Sequence, residues 1–343
     1  MARRFYDIQE LMGQGPQPRV SIVTPFYNTA RYLPDAVESV LAQSYENFEY
    51  LLVNNKSADG SRDIAESYAQ RDTRIRVIDN DTFVSQTTNY NGALRQISAD
   101  SKYVKMVQAD DTIFPDCVRN LVAVAERDSR IGLVSSYYLN GNEPRGQGVP
   151  YGRWHMPGHE ALRLMLRSEC FVLGTPSVVL YRADIVRARA VFFPVGHPNC
   201  DTGAGYEILL EHDLGFSHQI ESFCRAQDES ITSQRAGFNP APLDYLITLE
   251  QHGRKLLGSD EFQRISQRKW DYYYRFLTTS ALTRRDPEFW EFHRNGLALI
   301  GRTLDFGELL PHVLKGFGHL ASEPRVTLRR AISRLFAGRG ELL

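Results

Sequence analysis

Residues 104–111 read VKMVQADD, an apolar run that stops at two adjacent carboxylates. The apolar part predicts a buried strand, and ligands bind at the carboxyl ends of strands in open parallel sheets. Two Asp side chains at such an end can hold a divalent cation whose open positions accept phosphate oxygens. The alternative is an Asp-rich turn whose carboxylates cap a following helix that Pro115 starts.

The sequence around this run alternates strand and helix patterns from Arg19 to Tyr138. We predict strands at residues 20–24, 48–53, 76–78, 103–108 and 131–138. Apolar residues at helical spacing separate them, with one such helix around residues 92–97. This order predicts an α/β fold with a Rossmann-like, mostly parallel sheet and helices on both faces.

The second half of the chain changes character. Residues 194–205 are predicted as an irregular loop, and residues 206–212 as a helix. From about residue 235, long amphipathic stretches predict an α-helical C-terminal extension with helices at 243–257, 262–282 and 289–304. We therefore divide the chain into a leader at 1–18, an α/β domain at 19–233 and a helical extension at 234–343.

Composition excludes several classes of protein. The formal net charge of −1 over 343 residues gives no basic surplus for a nucleic-acid partner. No run approaches the roughly 20 apolar residues of a membrane span, and no secretory signal is visible, which predicts a cytoplasmic protein. The four cysteines are widely spaced, as in a reduced protein. Neither Gly-x-Gly-x-x-Gly nor a P-loop motif follows a strand, which argues against dinucleotide dehydrogenases and P-loop enzymes.

Polar and aromatic residues collect at three predicted strand ends. Residues 25–28 (PFYN) offer an aromatic face and an amide for a flat base. Residues 54–60 offer two amides and a glycine turn, and residues 110–111 offer negative charge for a metal. Together these features predict a site for a nucleoside diphosphate.

Four sequence blocks resemble glycosyltransferase family 2 in their order and spacing. They are residues 20–52, SADGS at 57–61, NYNGAL at 89–94 and ADD at 109–111. The resemblance extends over roughly residues 19–232. It implies a GT-A fold, a nucleotide-activated sugar donor and inverting transfer to a hydroxyl acceptor. It also implies Mn²⁺ or Mg²⁺ held through an Asp-x-Asp element, here Asp110 with Asp111 in support.

The resemblance carries a donor site onto this sequence. The nucleotide-binding residues would be Pro25, Phe26, Tyr27, Asn28, Asn55, Asp59, Asn89, Gln108, Ala109, Asp110 and Arg225. Arg225 would pair with phosphate oxygens, or alternatively form a surface ion pair with Asp228 or Glu229. The turn at 174–177 resembles the acceptor-side wall of the family, with a plain structural turn as the alternative.

A catalytic base is expected within residues 200–209 (CDTGAGYEIL). Inversion requires a base that removes the proton of the acceptor hydroxyl. We favour Asp201, placed in a loop that an acceptor can approach, over Glu207, placed in the following helix. The alternative role for Asp201 is that of a helix N-cap.

Three departures from the family pattern involve four positions. Gln108 occupies the first acidic position of Asp-x-Asp, Asn54 and Asn55 replace the usual Asp pair, and Gln227 stands where relatives carry His. Asn presents both a donor and an acceptor, so a UDP-sugar remains the favoured donor. The departures keep an alternative function open, namely an inactive glycosyltransferase-like protein that binds nucleotide-sugars or acts as a scaffold.

The remaining expectations concern acceptor and partners. We expect a saccharide or lipid-linked saccharide acceptor, in cell-surface polysaccharide or glycolipid synthesis. Residues 325–339 carry five arginines between apolar residues. This pattern predicts either peripheral contact with the inner face of the plasma membrane or a packed terminal helix with solvated arginines. A homo-oligomer is compatible with the helical extension.

Overall fold

The computed structural model of the protein describes residues 16–225, 238–282, 286–304 and 307. The strands are β1 Val20–Phe26, β2 Phe48–Asn54, β3 Ile75–Asp79, β4 Tyr103–Met106, β5 Thr112–Ile113, β6 Ile131–Asn140, β7 Glu143–Arg145, β8 His155–Met156, β9 Leu180–Arg182 and β10 Asp213–Cys224. The helices of the first part are α1 Leu33–Leu41, α2 Ser61–Ala69, α3 Gln86–Leu94, α4 Cys117–Ala125, α5 Gly158–Leu166, α6 Ala183–Ala188 and α7 Cys200–Leu209. They are followed by α8 Ala241–Leu256, α9 Ser259–Leu282 and α10 Pro287–Ala298.

These strands form one mixed sheet with the order β3-β2-β1-β4-β9-β6-β10-β5. Strands β1 to β4 are mutually parallel, and β6 is parallel to β10. The short strand β9 joins the two halves, antiparallel to both β4 and β6. Every residue of β1, β2 and β4 is buried, as expected for parallel strands covered on both faces. The α/β prediction is confirmed.

Two hydrophobic cores cover the two faces of the sheet. One contains Val37 and Val40 of α1 together with Leu121 of α4. The other contains Leu94 of α3 and residues of α5, α7 and α8. Alternate residues of β1 contribute to the two cores, so helices lie on both faces as predicted.

Several predicted boundaries were wrong. Helix α3 begins at Gln86, capped by the Ser85 hydroxyl, which accepts the Thr88 N–H, rather than near residue 92. Helix α7 begins at Cys200, although residues 200–205 were predicted as loop because their glycines disfavour helix. Tertiary packing overrides that propensity, since a Cβ at Gly205 would lie 2.6 Å from a methyl carbon of Leu173.

The helical extension is confirmed and packs on the α/β domain. Arg163 of α5 donates to the Leu256 carbonyl of α8 at 2.7 Å. Arg167 pairs with Glu261 of α9, also at 2.7 Å. The predicted domain border at 233/234 and the arginine-rich segment at 325–339 lie outside the described residues. None of the described helices combines the length and apolarity needed to cross a membrane.

Candidate active site

Asp110 and Asp111 follow β4 at its carboxyl end, as predicted. Asp111 is 3% exposed, and both of its carboxylate oxygens are bonded. The Ser177 hydroxyl donates to Oδ2 at 2.6 Å, and the backbone N–H of Arg225 donates to Oδ1 at 3.1 Å. Asp110 is only partly buried, and no neighbouring side chain in the described ranges donates to its carboxylate. The Asp110 carboxylate is therefore the one available to a ligand.

The predicted alternative, in which these carboxylates cap the next helix, is wrong. Strand β5 lies between them and α4, and the residue at the N-cap position of α4 is Asp116. The 174–177 turn instead serves Asp111 directly, because buried Ser177 donates to its carboxylate and accepts the backbone N–H of Gln108 at 2.9 Å.

Burial controls the electrostatics of this loop. Burial raises the pKa of Asp110, and burial together with the neighbouring Asp110 raises the pKa of Asp111 to about 7. Lys105 of β4 is completely buried beneath them and donates to the Ser177 carbonyl. Burial also lowers the pKa of Lys105. Burial raises the pKa because it disfavours the ionised carboxylate. A bound cation offsets that cost, so such a carboxylate favours binding one.

Arg225 closes the loop from the end of β10. Its Nε donates to the Asp110 carbonyl at 3.2 Å, and its guanidinium pairs with Asp35 of α1 at 2.9 Å. The ion-pair alternative thus has a partner other than the predicted Asp228 and Glu229, which lie outside the described residues. This ion pair places the positively charged Arg225 guanidinium beside Asp110. Its partner, Asp35, is exposed to solvent.

The loops after β1 and β2 hold each other. Asn28 accepts the Ala58 N–H at 2.8 Å and donates its own N–H to Ser57 at 3.0 Å. Asp59 accepts the Ala30 N–H at 2.8 Å. Burial would raise the pKa of Asp59, but hydrogen bonds from Ser61 and Ala30 outweigh it and lower that pKa. Asn28 and Asp59 therefore shape the loops through polar contacts with each other's neighbours.

Asn55 is held in a chain of amides that joins β2 to α3. Its side chain accepts the Val84 N–H at 3.1 Å and donates to the Val84 carbonyl at 2.9 Å. Asn80 donates to Asn55 at 3.0 Å and to Asn89 at 2.8 Å. The Asn55 carbonyl oxygen thus accepts two bonds and the amide nitrogen donates one, and these bonds position the segment that carries Phe83 and Val84.

Replacing Asn55 with Ala should lower the free energy of unfolding by about 2–4 kcal/mol, because the partly buried Val84 and Asn80 groups would lose their partners. Denaturant unfolding monitored by circular dichroism measures this loss. Asn47→Ala is the matched control, since the exposed Asn47 amide makes one bond, at 2.7 Å to the Gln17 carbonyl. Equal stability of the two variants would contradict the prediction.

The aromatic residues divide into buried and exposed ones. Pro25 and Phe26 lie inside β1, and Phe26 is 2% exposed in the core, so its ring has no free face for a base. Tyr27 and Phe83 are 46% and 60% exposed, and their ring centroids are 4.7 Å apart. This pair is the aromatic surface that the loops present to solvent.

Tyr90 connects the two carboxylate sites. Its hydroxyl accepts from Gln108 Nε2 at 2.9 Å and from Gln86 at 2.8 Å. Burial raises the pKa of Tyr90, and Asp201 and Asp110 raise it further. Tyr90 therefore lies near both carboxylates, and Gln108, which replaces an acidic residue, serves to bond the tyrosine.

Asp201 lies in the first turn of α7, not in a loop, and it is not the N-cap, which is Asn199. It is partly buried, and its carboxylate accepts the Thr202 N–H at 2.9 Å. Burial raises its pKa to about 6. A carboxylate of that pKa is ionised at neutral pH and more basic than an exposed Asp.

Glu207 faces elsewhere. Six residues after Asp201, it is rotated by about 240° around the helix axis. Its side chain is 56% exposed and lies 3.6 Å from His252 of α8. The structure does not bring Glu207 together with Asp201.

The sequence belongs with known glycosyltransferases. Residues 21–188 match the sequence model described as Glycosyl transferase family 2. EpsE of Bacillus subtilis strain 168, named as a glycosyltransferase, is 33% identical over 242 residues, which cover 70% of this chain and 83% of EpsE. The chain is a member of glycosyl transferase family 2.

Another relative of this family member is aligned over a smaller share of its length. Glycosyltransferase GlyG of Streptococcus pneumoniae serotype 4 is 32% identical over 122 residues, 35% of this chain and 39% of GlyG. For EpsH of Bacillus subtilis the aligned share is 51% of that protein. The chain thus matches 39% and 51% of the length of these two curated relatives.

Solved structures support the fold of the chain. S. aureus TarS 1-349 superimposes with a TM-score of 0.57 at 17% identity, covering 82% of this chain and 80% of that one. The mannosyltransferase PcManGT from Pyrobaculum calidifontis gives 0.54 at 14% identity, covering 96% and 90%. The predicted GT-A-like fold with a helical C-terminal region is confirmed.

The described side chains of this site fit a cation in one way. The described residues contain no group of three His, Cys, Asp or Glu side chains that could hold a metal ion by themselves. One free, partly buried carboxylate does fit Mg²⁺ or Mn²⁺ that takes its other ligands from phosphate oxygens and water. Asp110 supplies that carboxylate, while both oxygens of Asp111 are already hydrogen-bonded.

Three residues of this site were not assigned a role from the sequence. Tyr90 lies inside the NYNGAL block, yet only the fold shows that its hydroxyl accepts from Gln108 and Gln86. Phe83 follows β3 and is exposed next to Tyr27. The only signal of this in the sequence is an apolar residue within a polar loop. Asp244 of the helical extension follows α7 by about forty positions in the sequence, yet its carboxylate lies 3.3 Å from His197, just before α7.

Proposed function

We propose that this protein transfers a sugar, with inversion, from a nucleoside-diphosphate donor to a hydroxyl of a saccharide or lipid-linked saccharide. A UDP-sugar is the favoured donor, and cell-surface polysaccharide or glycolipid synthesis is the favoured context. One observation carries the proposal. The partly buried Asp110 carboxylate at the end of β4 accepts from no side chain in the described residues, and the Arg225 guanidinium lies beside it, with Nε donating to the Asp110 carbonyl at 3.2 Å.

The donor side is built around Asp110. A divalent cation bound there with the donor diphosphate would neutralise the charge that develops on the leaving group. Asp110 would hold that ion, Arg225 would supply positive charge from the other side, and Tyr27 with Phe83 would stack on the base. TarS has been solved with UDP and with UDP-GlcNAc, and PcManGT with GDP-Man and Mn²⁺, which supports a nucleotide-sugar and a metal here.

The acceptor side is built around Asp201. Inverting transfer is a single displacement in which the acceptor oxygen attacks the anomeric carbon as the diphosphate leaves. The proton of the acceptor hydroxyl passes to the Asp201 carboxylate. Its pKa of about 6, raised by burial, makes it basic enough to accept that proton while it remains ionised at pH 7.

A thermal-shift screen of UDP-, GDP-, dTDP- and CMP-sugars with Mn²⁺ would test the donor, followed by a transfer assay with the sugar that stabilises the protein. Binding raises the melting temperature in proportion to the logarithm of ligand concentration over Kd. Metal-dependent stabilisation together with release of the nucleotide supports the proposal. Tight binding without metal and without turnover would favour the inactive binding protein instead.

The choice between the two candidate bases gives a prediction of its own. Glu207→Gln should leave kcat within about twofold, because Glu207 is exposed and pairs with His252 rather than facing the site. Initial rates of transfer at saturating donor measure this. A loss of more than about a hundredfold in kcat would instead identify Glu207 as the base.

A further inference from the structure

Asp244, an ionisable residue of the helical extension, lies near Asp201, the proposed base. Asp244 lies in the first turn of α8 and is 8% exposed. Its Oδ1 is 3.3 Å from Nδ1 of His197, whose side chain is also buried. Both residues belong to segments that meet at the N-terminus of α7, where Asp201 is located.

The contacts of Asp244 reach the residues just before Asp201. Burial raises the pKa of Asp244 to about 7, and hydrogen bonds from Asn199, the N-cap of α7, oppose that rise. The charge of Asp201 also raises it. Asp244 therefore touches the cap of the helix whose first turn carries the proposed base.

His197 has little freedom to move without moving α7. Its Nδ1 accepts the Asn199 N–H at 3.3 Å. At Gly203 of α7 an added Cβ would lie 2.9 Å from Pro194 and 3.4 Å from the His197 ring. A shift of His197 is thus transmitted to the first turn of α7, since packed interiors leave few voids.

The contacts that hold the helical extension on α5 do not require a carboxyl group at position 244. The extension is already held to α5 by Arg167 with Glu261, by Arg163, and by Tyr245, whose hydroxyl donates to the Met165 carbonyl at 2.8 Å. A buried carboxyl is costly, and an apolar side chain would pack at least as well. Among the described residues Asp244 Oδ1 has no hydrogen-bond partner, so it is retained at a cost.

We propose that Asp244 is a positioning residue for Asp201, through which the helical extension completes the acceptor side of the site. It acts by packing against His197, whose Nδ1 lies 3.3 Å from its Oδ1, and against Asn199, and so it acts on the first turn of α7. The inference rests on the proposed function for its catalytic meaning, but its structural content concerns the order of residues 200–205 and can be measured separately.

The kinetic test compares Asp244→Ala, Asp244→Asn and His197→Ala in the full chain. A base misplaced by about 1 Å costs up to roughly a hundredfold, so Asp244→Ala and His197→Ala should each lower kcat by about ten- to a hundredfold. The donor KM should stay within about twofold, because Asp110 is untouched. Asp244→Asn keeps the size and shape of the buried side chain, and it should recover most of kcat.

The matched control is Glu261→Gln, which removes another contact between the extension and α5 but lies away from α7. It should leave kcat unchanged. Amide hydrogen exchange of residues 200–205 gives a readout that needs no turnover. Exchange there should become about tenfold faster or more in Asp244→Ala and His197→Ala, and should not change in Glu261→Gln.

The outcomes separate the two proposals. Wild-type kcat and wild-type exchange in whichever of the two alanine variants folds would overturn the inference. Faster exchange confined to residues 200–205 would support it even if no transfer were detected. Full activity of Asp201→Asn would refute the base assignment in the proposed function, while the exchange data would still decide whether Asp244 orders α7.

Discussion

Asp110→Asn is expected to abolish Mn²⁺-dependent binding of the donor. The substitution keeps the size of the side chain and removes the one carboxylate of this loop that, within the described residues, accepts from no side chain. Loss of a ligand to the ion should weaken donor affinity by at least about a hundredfold, since even changes in residues that only support metal ligands cost 10–100-fold. Isothermal titration of a UDP-sugar, with Mn²⁺ and with a chelator, measures the difference.

Two further variants sharpen that experiment. Asp116→Asn removes a carboxylate of the same segment that is bonded to Ser44 and Arg119 outside the site, so donor affinity should stay unchanged. Asp111→Asn should act on stability, because Ser177 Oγ and the Arg225 N–H would lose a charged acceptor, each worth about 1.5–3 kcal/mol. If Asp110→Asn bound the donor with wild-type affinity and the same metal dependence, the donor-side proposal would fail.

The strand ends could be predicted from the sequence because they depend on local pattern. Residues 104–111 predict a buried strand followed by carboxylates, and Asp110 does follow β4. Because β1 pairs in parallel with β2 and β4, the three polar loops that follow these strands lie at one edge of the sheet. The strand pattern alone is enough to predict this placement.

The sequence could not predict which polar side chains of the site bond to protein groups and which remain available to a ligand. Asn55 and Asp111 are the right residue types for ligand contacts, yet the fold uses their polar atoms on Val84, Ser177 and Arg225. Such commitments depend on segments that are distant in sequence and meet only in three dimensions. The helical start of α7 was missed for the same reason, because packing of Leu173 against Gly205 outweighs the local cost of glycine.

Asp201→Asn is expected to stop transfer while sparing the donor. The amide cannot take the proton of the acceptor hydroxyl, and removing a general base lowers kcat by about 10²–10⁴-fold. Donor affinity should change by less than about twofold, because Asp110 and the loops after β1 and β2 are unaltered. Single-turnover transfer and donor titration on the same preparation separate the two effects.

The pH dependence provides the decisive comparison. Burial raises the pKa of Asp201 to about 6, and the base must be deprotonated to work. The kcat of the wild-type protein should therefore be constant above pH about 7 and fall by about tenfold per pH unit well below 6. The residual activity of Asp201→Asn should lack this acid limb, whereas Glu207→Gln should keep it. An unchanged limb in Asp201→Asn would assign the titration, and the proton transfer, to another group.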